Sequence, residues 1–311
     1  MSALICGSLA YDTIMVFQDH FKHHILPDKV HMLNVAFLVP HMRREFGGCA
    51  GNISYNLNLL GGDPLPMATV GDDFEPYRQH MASSGITLDC VTQIPGTFTA
   101  QAFITTDLSD NQITAFHPGA MMHSHRNHVR DVERASFGIV APDGREAMLQ
   151  HAQEFAERAI PFIFDPGQAM PLFSGEEFRA FIEQATWVTV NDYECQLLKE
   201  RTGWSEAQIA ERVEGYIVTR GPEGSLVHRR GGTLEIPAAR ASEVVDPTGC
   251  GDAYRAGLIF GLMNGMDIEV SGRIASLMGA IKIAHAGTQN QRFNLAEFNE
   301  RFKEAYGMRL D

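Results

Sequence analysis

Residues 137–191 read FGIVAPDGREAMLQHAQEFAERAIPFIFDPGQAMPLFSGEEFRAFIEQATWVTVN, and their pattern decides the fold class. Short apolar runs at 137–141, 162–164 and 187–190 have the length and composition of buried strands. Between them, residues 146–158 and 176–184 carry apolar side chains at helical spacing. The alternation continues with a helix over 194–201 and a strand over 216–219. Strands alternating with helices predict a parallel sheet covered on both faces, an α/β doubly wound architecture. Polar or glycine residues recur where the strands end, at Asp165-Pro166-Gly167, Asn191 and Arg220-Gly221. That carboxyl edge is where open parallel sheets bind ligands.

Toward the N-terminus, residues 3–7 and 67–71 read as further strands, and 51–60 and 75–84 as helices closed by Gly61 and Gly85. Residues 13–46 have a different texture. Apolar side chains alternate with His, Asp and Pro, most regularly over Val30–Val39, and predict strands with one covered face. Residues 98–117 read as a hairpin turning around Ser109-Asp110-Asn111. Together the two stretches predict a small sheet standing off the main body. Toward the C-terminus come a hairpin over 225–237 around Gly231-Gly232 and helices over 253–263, 270–285 and 295–306. The whole chain, 1–311, is expected to be one domain.

Composition excludes several function classes. The 311 residues are 44% hydrophobic, enough for one large core, and the formal charge of −13 repels nucleic-acid phosphates. Arg43-Arg44 and Arg229-Arg230 are too short to reverse that. Five widely spaced cysteines without a CxxC predict neither a disulfide framework nor a structural zinc site. MSALICGSLAYDT lacks the basic flank of a signal peptide, and no apolar run of membrane-spanning length occurs. The expectation is a cytoplasmic protein with no membrane or nucleic-acid partner.

The chemistry concentrates in residues 246–257, DPTGCGDAYRAG. Gly249 and Gly251 let the backbone approach a ligand closely, and an apolar helix starts directly behind them. The unpaired N–H groups and positive dipole end of such a helix hold an anion. Asp252 at its mouth has the chemistry of a base that removes a hydroxyl proton during phosphoryl transfer. Its alternative is a helix cap. No GxxxxGK[ST] loop, HRD or DFG tripeptide occurs, so phosphoryl transfer here requires another fold.

Within it, Asp246-Pro-Thr-Gly-Cys-Gly-Asp252 followed by Ala256-Gly257 resembles the C-terminal signature of the PfkB (ribokinase-like) carbohydrate and nucleoside kinases, with Cys250 where that family usually has Ala or Gly. Gly47-Gly48-Cys49-Ala50-Gly51-Asn52 resembles the family's GGxxxN signature, Asn191-Asp-Tyr-Glu194 its NxxE motif, and Thr219-Arg-Gly221-Pro-Glu-Gly224 its TxGxxG turn. The four occur in order across nearly the whole chain. The resemblance implies a ribokinase-like fold whose small β-sheet, here about 13–46 and 98–117, is a lid over the site.

It also implies roles. Asp252 would be the catalytic base, with Gly249, Cys250 and Gly251 as the anion hole. Asp12, Gly48 and Asn52 would grip sugar hydroxyls. Asn191, Thr219, Gly221 and Gly224 would line the ATP site, with Gln112 reaching the nucleotide from the lid. Glu194 would organise Mg²⁺ through water. Asn52 has the alternative of a helix N-cap, and Glu194 that of a first-turn helix carboxylate.

For the substrate, Met32, Val35, Phe37 and Leu38 offer an apolar surface for a flat base, with core packing as the alternative. Asp165 either accepts a hydrogen bond from a base or sugar or makes an Asx turn before Pro166. The segment Lys29–Asn34 and the ending Ala286-Gly287-Thr288-Gln289 resemble the nucleoside-kinase branch, which adds Asn34 to the substrate-binding residues. The expectation is 5′-phosphorylation of adenosine, inosine or guanosine with ATP and Mg²⁺. Three other readings stand beside it: a sugar kinase of ribokinase or fructokinase type, a non-catalytic nucleotide sensor, and a metal-dependent hydrolase using His123, His125 and His128. The lid's alternation fits either an open sheet or one buried against a second copy in a homodimer.

Overall fold

The computed structural model describes residues 1–25, 34–109 and 111–310. The N-terminal half runs β1 (Ser2–Cys6), β2 (Ala10–Val16), β3 (His41–Gly47), α1 (Cys49–Leu59), β4 (Asp63–Val70), α2 (Glu75–Ser83), β5 (Val91–Gln93), β6 (Ala100–Thr106) and β7 (Gln112–His117). The α/β stretch follows as β8 (Ala135–Val140), α3 (Arg145–Glu157), β9 (Phe162–Phe164), α4 (Gly175–Gln184), β10 (Trp187–Asn191), α5 (Asp192–Thr202), α6 (Glu206–Ala210) and β11 (Gly215–Thr219). The chain closes with β12 (Ser225–Arg229), β13 (Gly232–Ile236), α7 (Cys250–Met263), α8 (Ile268–Ile283) and α9 (Leu295–Tyr306).

Among the described residues the main sheet has nine strands in the order β13-β12-β11-β10-β9-β8-β1-β4-β5. Neighbours from β11 to β5 run parallel, and β12 and β13 add an antiparallel hairpin at one edge. Alternate strand residues face opposite layers. Ala3, Ile5, Ile139, Ile163 and Ile217 pack with Ala50, Ile53 and Leu57 of α1 and Leu258 and Ile259 of α7. Leu4, Val140, Phe162, Phe164, Val188 and Val190 pack on the other face with Met148 and Phe155 of α3, Phe178 and Phe181 of α4 and Leu198 of α5. The strand order reverses at β1, with β4 on one side and β8 on the other. That reversal opens a crevice outside the carboxyl ends of the strands.

A second sheet of four strands, β3-β2-β6-β7, stands apart from the first. Its register places Glu45, Asp12, Ala102 and Phe116 in one row, and Arg43, Ile14, Ile104 and Thr114 in the row two positions along the same face. The turn between β6 and β7 is fastened by Asp107, which accepts hydrogen bonds from the N–H groups of Phe21, Ser109 and Asn111.

Several boundaries differ from the sequence reading, two of them with a physical reason. The alternation over Val30–Val39 does not make a strand in its described part: residues 34–39 lie outside any helix or strand, while Met32 falls outside the described residues. Phe37 packs there, its ring 4.8 Å from Phe17 and 5.0 Å from Phe21, while Leu38 is exposed. The strands of the small sheet are therefore 10–16, 41–47, 100–106 and 112–117. The strand expected to begin at Met67 begins at Asp63, through Pro64 and Pro66. β5 pairs only with residues 68–70, so the prolines lie where the strand needs no donor on that side.

Candidate active site

The Gly-rich segment folds as a turn that starts α7. Asp246 holds it from both ends: one carboxylate oxygen accepts from Thr248 N–H at 2.9 Å and the other from Gly287 N–H at 2.9 Å. Its carbonyl accepts from Lys282 Nζ at 2.7 Å, and Lys282 also donates to His285 O at 3.2 Å. Lys282 is fully buried. Burial pulls its ammonium pKa down, opposed by the charge of Asp246. Gly249, the residue before the helix, is left-handed (φ 78°), which lets the chain reverse into α7. Cys250 N–H bonds to Pro247 O and Ala253 N–H to Gly249 O. The N–H groups of Gly251 and Asp252 have no partner among the described residues. They end a 14-residue helix, so the site is ready for an anion.

Asp252 does not cap α7. It lies in the first turn, and its Oδ2 accepts from Asn52 Nδ2 at 2.8 Å, across from α1. Asn52 is not an N-cap either: Gly48 is, and Asn52 N–H bonds to Gly48 O. Asn52 Oδ1 accepts from Gln289 Nε2, which also donates to Tyr77 Oη, while Gln289 Oε1 meets His80 Nε2 at 2.9 Å. Burial pushes the Asp252 carboxyl up to about 6, against the Asn52 hydrogen bond and the Arg255 charge, which favour the ionised form. Asp12, on β2, is also pushed up to about 6, first by burial and then by the charges of Glu45 and Asp246.

The paired glycines fit these carboxylates to the backbone. A Cβ on Gly47 would lie 2.4 Å from Asp12 Oδ2. Gly48 has φ 84°, and a Cβ there would lie 2.5 Å from Ser8 O and 2.7 Å from Ala10 N. Without side chains, the end of β3 can fold onto the β1–β2 connection and start α1 beside the crevice.

Asp165, at the end of β9, makes neither the expected Asx turn nor a free ligand. It is buried, and both oxygens are held by Arg255 of α7: Nε donates to Oδ2, and Nη2 to Oδ1 at 2.9 Å. Asn191 and Glu194 form a reciprocal capping box at the start of α5, with Glu194 N–H on Asn191 Oδ1 at 2.7 Å and Asn191 N–H on Glu194 Oε2 at 2.8 Å. The first-turn role of Glu194 is thus real, and its Oε1 stays free of it. Burial and the nearby Asp165 raise the Glu194 pKa, against the pull of Arg255. Thr219 lies directly beside Asn191 in the sheet, and Gly221 and Gly224 shape the turn from β11 into β12.

The structure therefore gathers Asp252, Gly249, Cys250, Gly251, Asn52, Gly48 and Asp12 around one crevice, and aligns Asp165, Asn191, Glu194, Thr219, Gly221 and Gly224 along the same carboxyl edge. It does not bring Gln112 to them. Gln112 is exposed at the turn end of β7, four positions from the row of Asp12. Asn34 is exposed at the start of its described segment. Sequence reading missed Arg255, Tyr77 and Lys282, and named Gln289 only as part of a family resemblance, without a role. For Arg255 a signal existed: with Asp252 it is one of two charged residues in an otherwise apolar helix.

The histidines of the hydrolase reading lie in and after a short 3₁₀ turn, Gly119–Arg126, where His128 contacts Glu154 and His125 contacts Glu146. Among the described residues no group of three or more His, Cys, Asp or Glu is arranged to hold a metal. No helix there is long and apolar enough to cross a membrane.

Comparison with known proteins now decides the family. The model of the pfkB family carbohydrate kinases matches residues 9–293. The chain belongs to the pfkB family. The nucleoside kinase of Burkholderia thailandensis solved in complex with inosine is 53% identical, with a TM-score of 0.90 over 99% of each chain. The same kinase in complex with ADP-inosine is 55% identical, with a TM-score of 0.88 over 99% of this chain and 97% of that one. A nucleoside kinase of Methanocaldococcus jannaschii is 28% identical over 258 residues, 82% of this chain and 85% of that protein. As a pfkB-family member with the ribokinase-like fold, the protein is an ATP-dependent phosphotransferase acting on an alcohol group. The sensor and metal-hydrolase readings of the sequence are thereby set aside.

Proposed function

We propose that this pfkB-family kinase transfers the γ-phosphoryl group of ATP to the 5′-hydroxyl of a ribonucleoside, adenosine, inosine or guanosine, with Asp252 as the base. The observation that carries this reading is the pairing of Asp252 with the free N–H groups of α7, facing a lid sheet whose Asp12 face also bears Ile14, Ile104 and Phe116. A carboxylate among apolar neighbours suits a ligand with hydroxyls at one end and a flat base at the other. Likeness to a nucleoside kinase solved with inosine supports the same choice.

In this reading Asp12, with Gly48 and Asn52, holds the ribose hydroxyls, and Asn34 meets the base. The 5′-oxygen attacks the γ-phosphorus. Its proton passes to Asp252, and the bond to the β-phosphate oxygen breaks with its electron pair on ADP. The Gly251 and Asp252 N–H groups receive the charge that develops on the phosphoryl oxygens. Asn191, Thr219, Gly221 and Gly224 line the nucleotide, with Gln112 approaching if the lid closes. Closure excludes water that would otherwise accept the phosphoryl group.

Mg²⁺ would supply charge neutralisation on the ATP phosphates. The residues fit an ion that keeps most of its waters: Glu194 offers one free carboxylate oxygen at the carboxyl edge, and the described residues offer no cage of three or more protein ligands.

Two further parts of the reading concern surroundings. The lid face opposite Asp12 carries exposed Met42, Phe103 and Ile113, which a second copy would cover in a homodimer. ATP as donor and five free cysteines suit the cytoplasm.

The test is ADP release measured with adenosine, inosine, guanosine, ribose and fructose, with phosphorus NMR of the product. A nucleoside 5′-monophosphate is the expected product. Turnover of free sugars without turnover of any nucleoside would sink the nucleoside reading. Asp252→Asn is expected to bind nucleoside yet lose turnover, and near-normal turnover would reject it as the base.

A further inference from the structure

Arg255 is 6% exposed in the second turn of α7, and no motif of the family resemblance accounts for it. Two of its three guanidinium nitrogens, Nε and Nη2, form a fork on Asp165. The third, Nη1, has no partner among the described residues and lies 2.8 Å from where a Cβ on Gly251 would stand. Gly251 is exposed and carries one of the two unpaired N–H groups of the anion site. The free edge of the guanidinium therefore shares a wall with that site.

A buried ion pair is a poor reason by itself to keep Arg255, because an apolar pair of similar volume commonly does as well for stability. Charge gives a better reason. The carboxylates of Asp165, Glu194 and Asp252 all act on this one guanidinium. A triphosphate entering beside three carboxylates needs positive charge already in place, and a planar fork held at one edge offers its other edge to phosphate oxygens without reorganising.

We propose that Arg255 is a fixed cation of the phosphoryl-transfer site, held by Asp165 and donating from Nη1 to the phosphoryl group as it moves from ATP to the acceptor. Asp165 is then a positioning residue that acts through Arg255. No proton passes through Arg255: the acceptor proton goes to the base and the leaving electron pair to ADP. The proposal rests on the phosphotransferase activity, whichever alcohol is the acceptor. Only its pH arm rests on the reading of Asp252 as base.

Arg255→Met alone would leave Asp165 buried and unpaired, so the main variant is the double change Arg255→Met with Asp165→Leu. It is expected to show a cooperative thermal transition and to bind ADP within a few-fold of the parent. Its kcat is expected to fall on the order of 100- to 1000-fold, as for loss of an oxyanion donor. The acidic limb of kcat/KM is expected to move up in pH. The groups that face Asp252 are Asn52 and Cys49 of α1, Tyr77 of α2, Asp165 at the end of β9, and Cys250 and Arg255 on its own helix. Of these, Arg255 is the cation, and its loss raises the Asp252 pKa by more than the accompanying loss of the Asp165 charge lowers it.

Millimolar guanidinium ion is expected to restore part of the turnover of Arg255→Ala. A double variant that folds and keeps kcat within threefold of the parent overturns the proposal. If the double variant does not fold, Arg255→Lys decides, because it keeps a cation for Asp165 and removes the fork. Parental kcat in Arg255→Lys overturns the proposal, and a loss of tenfold or more supports it. Asp252→Asn measured alongside separates the two readings: if it stays active, the base reading fails and the turnover arm for Arg255 still stands.

Discussion

Asn52 gives the most discriminating perturbation of the base. Its Nδ2 donates at 2.8 Å to Asp252 Oδ2, and this hydrogen bond favours the ionised carboxylate. A hydrogen bond to a charged group contributes about 1.5–3 kcal/mol, and each pKa unit corresponds to about 1.4 kcal/mol. Water entering the space of Asn52→Ala would restore part of that, so the Asp252 pKa is expected to rise by about one to two units from its value of about 6. The sign follows from the charge: losing a donor to the carboxylate makes the proton harder to remove. At pH 7 the ionised fraction then falls from roughly nine-tenths to between a half and a tenth, a roughly two- to tenfold part of the loss in kcat/KM that is recovered by about pH 9, while the part due to the lost ribose contact stays at every pH.

The assay is kcat/KM against pH, which reports groups of the free enzyme. Asp12 also titrates near 6, so the parent's acidic limb should approach a slope of two, and Asp12→Asn should reduce it to one. If Asn52→Ala lowers kcat/KM equally at every pH and leaves the limb near 6, Asn52 acts on the substrate alone and the reasoning about Asp252 fails.

Other perturbations test the scaffold. Gly48→Ala places a Cβ against Ser8 O and Ala10 N at a positive φ and is expected to cost about 2–4 kcal/mol, read by denaturant unfolding; an unchanged midpoint would show that the β3–α1 junction yields. Lys282→Met leaves the carbonyls of Asp246 and His285 without their donor; a loss of about 1–3 kcal/mol and a fall in kcat are expected from unfolding and steady-state assays. Cys250→Ala should keep kcat within about twofold, since the thiol's one side-chain hydrogen bond among the described residues is a long one to Asp246 O. Burial pushes the Cys250 thiol up to about 11, so alkylation there should be slow below pH 9 compared with a free thiol, as followed by mass spectrometry. Phe103→Asp on the outer lid face should convert a homodimer to monomer in sedimentation, and no change in mass would place the dimer surface elsewhere.

Much of this arrangement was legible in the linear chain. Runs such as Phe162–Phe164 and Trp187–Asn191 are strands because they are short and apolar, and their helices follow because the period switches from strand to helix. Gly249 and Gly251 at the start of an apolar helix suggested an anion site, and the Gly251 and Asp252 N–H groups there have no partner among the described residues. The same local reasoning failed over residues 34–39, where alternation produced no strand. Alternation records which side chains are covered, and the Phe17–Phe21–Phe37 cluster covers Phe37 without a neighbouring strand.

The chain by itself determined most of the elements and their order, because periodicity and glycine placement act over a few residues. Only the tertiary structure decided which polar groups share the crevice. Asn52 reaches Asp252 across 200 positions, and Arg255 takes Asp165 across 90. These partnerships arise because α1 and α7 pack side by side on one face of the sheet and start at the carboxyl ends of its strands. A buried polar group must pair with whatever that convergence brings near, and no local period encodes the choice.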